Sequence, residues 1–244
     1  MLSAQRDFTL PPPDISKEAF LAWRSPRLGT INPTDLSNPL WDWLVQSKLD
    51  AYNANKRLSG PSSMEAGPMW CFHRFGMSRT PLPDGRVVQI AGEHEDHYDP
   101  DFHIYNDVIV THSNGNVEVY GYPKEVFPPT DFHTATLIEQ HIVLIGNLGY
   151  PESRQPGVTP ILVLDLATFE MRSLPTHGEA PGWISQHTAE YIDKVRGKIR
   201  GNITLPPGIQ GNPQAVFEVT QLPSGEVLDV KVRRTSGNPA LDAA

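Results

Sequence analysis

The sequence predicts a mainly β protein: a helical N-terminal lead, two β-rich repeat units and a small α/β tail. Three observations carry this. Ser78-Arg79-Thr80, His133-Thr134-Ala135 and His187-Thr188-Ala189 open similar segments at a spacing of roughly 55 residues. Each of the first two openings is followed by the same succession of short apolar runs separated by turn residues. Gly (19) and Pro (24) are abundant among 244 residues, which suits a chain of many short strands and turns. A repeat of this length, with four strands per unit, points to blades of a β-propeller.

The lead, residues 1–67, is punctuated by proline. Ser16 is a candidate N-cap for a short helix from Lys17 to Trp23. Asn38-Pro39 is a stronger start, with Asn as cap and Pro at the first helical position. Trp41, Leu44, Val45, Leu49 and Tyr52 then recur at helical spacing, and Gly60 sits where a stop belongs. This face is expected to pack on the following domain.

Residues 68–189 hold the repeat. Arg86–Ile90 is a strand running into Ala91-Gly92, followed by Tyr105–Val110, a Ser113-Asn114-Gly115 turn and Asn116–Tyr120. In the second unit His141–Ile145 runs into Gly146-Asn147, followed by Ile161–Asp165 and Met171–Leu174. A shift of about 55 places Ile90 on Ile145 and Val108 on Val163. Glycine after the second strand permits the close approach that strands near a propeller axis need. His133 and His187 occupy equivalent positions, so each ring is expected to bond backbone in the neighbouring unit.

These units resemble the Kelch family of β-propellers. The matching residues are the His-Thr openings, Gly92, Gly146 and the Asp165–Glu170 stretch Asp-Leu-Ala-Thr-Phe-Glu. The diglycine typical of such blades is Ala91-Gly92 and Gly146-Asn147 here. The resemblance implies a partial propeller of two blades, with open edges available for self-association.

From Tyr191 the texture changes. Residues 191–203 are basic, with Lys194, Arg196, Lys198 and Arg200 interleaved with apolar residues at helical spacing. A Pro/Gly loop follows over 205–213. Ala215–Leu222 and Val227–Val232 are strands joined by a Pro223-Ser224-Gly225-Glu226 turn, and Ser236-Gly237-Asn238-Pro239 begins another helix. The order resembles the C-terminal domain of TolA and TonB proteins. The match rests on Lys198–Asn202, Pro206-Pro207, Gly211-Asn212-Pro213, Leu222–Glu226 and Ser236–Ala244. It implies an incomplete α/β domain over 190–244 that contacts partner proteins in the cell envelope and performs no catalysis. A competing reading makes residues 187–232 a third blade. In a third, two incomplete domains meeting near Glu190 mark a fragment or fusion.

Composition bounds the function. The formal charge of −8 provides no basic field for nucleic acid. Cys71 is the sole cysteine, so folding needs no disulfide, and its setting between Trp70 and Phe72 suggests a buried, inert thiol. Met1–Pro13 has no apolar run of a secretory signal, and no stretch approaches a membrane span. Location therefore reads as cytoplasmic from the chain as written, or periplasmic if the TolA/TonB resemblance governs.

The densest polar cluster is Glu93–His103, with three histidines and five carboxylates. His94, His97 and His103 are candidate ligands for a divalent metal, since imidazole and carboxylate donors suit zinc and harder ions respectively. No nucleophile elbow and no phosphate-cradling glycine loop is present. The expectation is a non-catalytic protein-interaction module that needs no cofactor, with unidentified protein partners. The alternatives are an envelope transport or integrity protein of the TolA/TonB type and a metal-dependent enzyme using the 93–103 loop.

Overall fold

A computed structural model describes residues 6–95, 98–176, 180–189, 216–221 and 227–234. The chain divides into two compact units, Met1–Ala189 and Glu190–Ala244.

In the lead, α1 (Lys17–Trp23) starts where the Ser16 side chain accepts a hydrogen bond from the Ala19 N–H. A two-residue strand β1 (Thr34–Asp35) follows. In α2 (Pro39–Ser47), Asn38 holds an extended backbone and its Oδ1 accepts from the Trp41 N–H at 3.0 Å. The single long helix expected through Tyr52 is broken. Lys48 turns left-handed at φ 56°, and Asp50 caps a new helix, α3 (Ala51–Arg57), by accepting from the Asn53 N–H. Leu49 stays in the core across the break, but Tyr52 is 71% exposed and leaves the apolar face. A short α4 (Ser63–Ala66) closed by a Ser62/Glu65 capping box ends the lead.

Because Asn38 satisfies an orphan N–H, Asn38→Ala is expected to cost about 1 kcal/mol. A denaturant midpoint unchanged from the wild type would show that Pro39 alone starts the helix.

The first repeat unit consists of β2 (Ser78–Pro81), β3 (Val87–Ile90), a ribbon of β4 (Glu93–His94) with β5 (His103–Ile104), then β6 (Asp107–Thr111) and β7 (Val117–Gly121). The second consists of β8 (Thr134–Ile138), β9 (His141–Ile145), β10 (Ile161–Asp165) and β11 (Met171–Ser173). All the strand pairs are antiparallel. The first main sheet has the order β1-β7-β6-β3-β2 and the second β11-β10-β9-β8, so neither closes into a barrel. Alternation along β6 splits its side chains between two cores. Ile109 joins Val119 and the lead's Leu40, Trp41 and Leu44. Val108 and Val110 join Ile142, Leu144 and Leu164 of the second sheet. The first sheet is thus covered by the lead on one face and by the second sheet on the other.

The lead also covers strand edges. Thr34–Asp35 adds a fifth strand beside β7. Asn32 brackets Met171 at the edge of β11, its Nδ2 donating to the Met171 carbonyl at 2.8 Å and its Oδ1 accepting from the Met171 N–H at 2.9 Å. Both contacts occupy backbone groups that an open edge would offer to another chain.

The junctions between units repeat. Gly92 N–H donates to the Thr130 carbonyl, and Asn147 N–H donates to that of Ile184. Phe132 N–H donates to the Gly76 carbonyl, and Gln186 N–H donates to that of Phe132. Gly76, Phe132 and Gln186 all have positive φ, between 47° and 60°. His133 Nε2 lies 2.9 Å from Ser78 Oγ, and His187 Nε2 lies 3.2 Å from Thr134 Oγ1. The rings therefore bond side-chain hydroxyls in the preceding unit rather than its backbone. The backbone of these first strands is engaged in the sheets, which leaves the hydroxyl as the accessible partner.

In the second compact unit, β12 (Val216–Gln221) and β13 (Val227–Arg234) pair antiparallel, with register shifts near both ends. The helix expected over 191–203, the 205–213 loop and the Ser236–Ala244 segment lie outside the described residues.

Candidate functional site

The 93–103 loop is built on the short β4–β5 ribbon. Glu93 pairs with Ile104, and His94 pairs with His103 across it. His94 is buried, with Nε2 3.1 Å from Glu95 Oε1, while its Nδ1 has no hydrogen-bond partner. Burial holds the His94 imidazole below its ordinary pKa, against the pull of Glu95 and Asp101. His103 sits edge-on to Tyr105 with ring centroids 4.8 Å apart. Burial, reinforced by the Arg74 guanidinium, pushes it down to about 4. His97 lies outside the described residues. Among the described residues no group of three His, Cys, Asp or Glu is placed to hold a metal ion.

Beneath the ribbon is a buried polar network absent from the expected site. Arg74 donates through Nη2 to Asp107 Oδ2 at 2.9 Å and through Nη1 to Asp107 Oδ1, a bidentate pair. It also donates to the carbonyls of Cys71 and Ala91. Its guanidinium lies 3.3 Å from the Tyr105 ring centroid and 5.0 Å from that of Trp70, within cation–π range. Trp70 Nε1 donates to Asp107 Oδ2 and the Trp70 ring stacks on Trp41. Burial opposes the Arg74 charge, but the Asp107 carboxylate outweighs it and raises its pKa. The network therefore fastens the lead to the first sheet. Cys71 is buried beside it and burial pushes the thiol up to about 11, leaving it protonated and a poor nucleophile at neutral pH.

On the other side of the ribbon lies a cleft of about 650 Å³. Its carboxyls are Glu93, Glu95 and Asp131, its aromatic wall is Phe102 and Tyr150, and Arg154 stands at its border. The loop from Asn147 to Arg154 shapes one side and is fastened at several points. Leu148 N–H donates to the Asp131 carbonyl, and Gly149 N–H donates to Asp131 Oδ1 at 2.6 Å. Tyr150 Oη accepts from the Ile104 N–H at 3.0 Å, and its ring meets Phe102 edge-on at 5.7 Å. Trp183 Nε1 donates to the Leu148 carbonyl. Burial raises the Asp131 pKa, partly offset by the Gly149 N–H.

Sequence reasoning placed the ribbon correctly as the densest polar loop but missed Asp131, Tyr150 and Arg154. One signal was available for Asp131. The junction hydrogen bonds align Phe132 with Gly76 and Gln186, so Asp131 stands where the other units have Phe75 and Ser185. A carboxyl at a position where its equivalents differ in kind serves something other than the repeat.

Together these features describe a mainly antiparallel β protein with a helical lead and a polar cleft at one sheet junction. Residues 188–244 match the family described as TonB C terminal, and this tail is TonB-like. The match covers less than a quarter of the chain and includes the β12–β13 hairpin. A comparison with curated proteins returned no match. Among the described residues no helix is long and apolar enough to cross a membrane.

Proposed function

We propose that the chain is a cell-envelope protein of the TonB-like kind, whose C-terminal segment contacts partner proteins without catalysing a reaction. The observation that carries this is the TonB C-terminal match over residues 188–244. The β units before it are Kelch-like blades serving as a rigid support. That part of the reading rests on the repeated junction bonds at Gly76, Phe132 and Gln186 and on the recurrent hydroxyl–imidazole contacts. The absence of a reactive thiol at Cys71 agrees with a binding role.

A photocrosslinking residue placed at Lys231 of β13 in the full chain tests this in cells. Adducts with proteins that sediment with the envelope are the expected result. Adducts confined to soluble cytosolic proteins, or none, would overturn the assignment.

A further inference from the structure

We infer that the cleft between the β4–β5 ribbon and the Asn147–Arg154 loop is a binding site for an organic ammonium group, with Asp131 and Glu93 as its anionic floor and Phe102 and Tyr150 as its wall. The inference goes beyond the function proposed for the tail and is independent of it.

Asp131 is 0% exposed, yet it lines the cleft. Its Oδ1 accepts from Gly149, but no hydrogen-bond donor of the protein reaches Oδ2. A buried carboxylate oxygen without a donor is costly unless something else supplies one. Beside it lies the carboxyl of Glu93, and Glu95 is a third acid on the same lining. Carboxylates crowded in this way repel one another until a proton or a cation sits between them.

Arg154 does not fill that role. Its Nε donates to the Leu148 carbonyl and its Nη2 to that of Gly149, so it braces the loop. Three carboxyls therefore share the cleft with one guanidinium that is already engaged, which leaves the cleft anionic.

The chemistry of the wall selects the ligand. Among the described residues no trio of ligands is placed for a metal ion, which argues against a bare divalent cation. Aromatic rings beside carboxylates suit an alkylammonium, whose N–H groups meet oxygens while its carbon chain lies on Phe102, Tyr150, Ile104 and Leu148. Such a head group has two sources, a free small amine or the lysine side chain of a protein.

Calorimetric titration of the full chain tests this with three probes: 1,5-diaminopentane, lysine blocked at both its amino and carboxyl termini, and 1-pentanol as the uncharged control. Saturable binding of an amine probe but not of pentanol is expected. The diamine binding more tightly identifies a free amine as the ligand, and blocked lysine binding more tightly identifies a lysine side chain. Asp131→Asn keeps the acceptor for Gly149 and is expected to weaken binding about tenfold or more, through loss of one charge-assisted hydrogen bond. Glu93→Gln is expected to act in the same direction, and it stands in should Asp131→Asn fail to fold. No heat with either amine, equal binding of pentanol, or unchanged affinity in the folded variants would overturn the inference. None of these outcomes bears on the crosslinks formed at Lys231.

Discussion

Replacing Asp107 with alanine is expected to destabilise the Met1–Ala189 unit by about 3–5 kcal/mol. The Arg74 side chain is 0% exposed, and Asp107 is the acid that holds its guanidinium in a bidentate grip. Removing that carboxylate leaves a buried cation facing only carbonyls and aromatic rings. It also removes the acceptor of Trp70 Nε1, whose ring supports the Trp41 stack. A loss of this size lowers the melting temperature of a domain of such length by on the order of 10 °C. The paired replacement Arg74→Met with Asp107→Leu is expected to cost less than Asp107→Ala alone, because an apolar pair strands no charge. Denaturant titration of both variants checks the ordering. A loss under about 1 kcal/mol for Asp107→Ala would mean that Arg74 reaches water, contrary to its burial.

Local chemistry was legible in the sequence wherever one residue acts on its near neighbours. Ser16 and Asn38-Pro39 place the starts of α1 and α2, because a cap bonds an N–H only three residues on. The strands of both units were legible for the same reason, since alternation and turn residues are local. The break at Lys48 was not, because the 3.6-residue period continues to Tyr52 while Asp50 competes by capping a second helix. The β1 strand and the Asn32 bracket were invisible, because each depends on a partner far along the chain.

The site divides in the same way. The crowding of acids and histidines over 93–103 is a property of contiguous residues and stands out. The Arg74–Asp107 pair and the Asp131 floor are created by folding, which brings together residues from separate strands and loops. Asp131 was detectable only as a departure from the repeat, and that requires the alignment of Gly76, Phe132 and Gln186 supplied by their hydrogen bonds. The tail's family was legible because its turn and Gly-Asn-Pro elements are contiguous, and the match over 188–244 agrees with them.

Acid is expected to destabilise the Met1–Ala189 unit between about pH 6.5 and about pH 4, before most carboxylates titrate. Burial, with a smaller contribution from His187, pushes His133 down to about 4, and burial with Arg74 does the same to His103. In the unfolded chain both rings return to the ordinary value near 6.5. Within that window the unfolded state binds about two more protons than the folded one, so stability rises with pH there and is lost as pH falls. Asp50 acts in a lower window. Burial opposes its charge, but the Asn53 N–H and side chain hold its pKa below the usual carboxylate value, so its contribution is lost only under more acidic conditions. His133→Gln separates the histidine effect. Glutamine can still donate to Ser78 Oγ but does not titrate. Its plot of unfolding free energy against pH is expected to be shallower than the wild type's by about one proton between pH 6.5 and 4. Parallel curves for the two proteins would show that the junction imidazole is already charged in the folded state, and that the contact with Ser78 tolerates the charge.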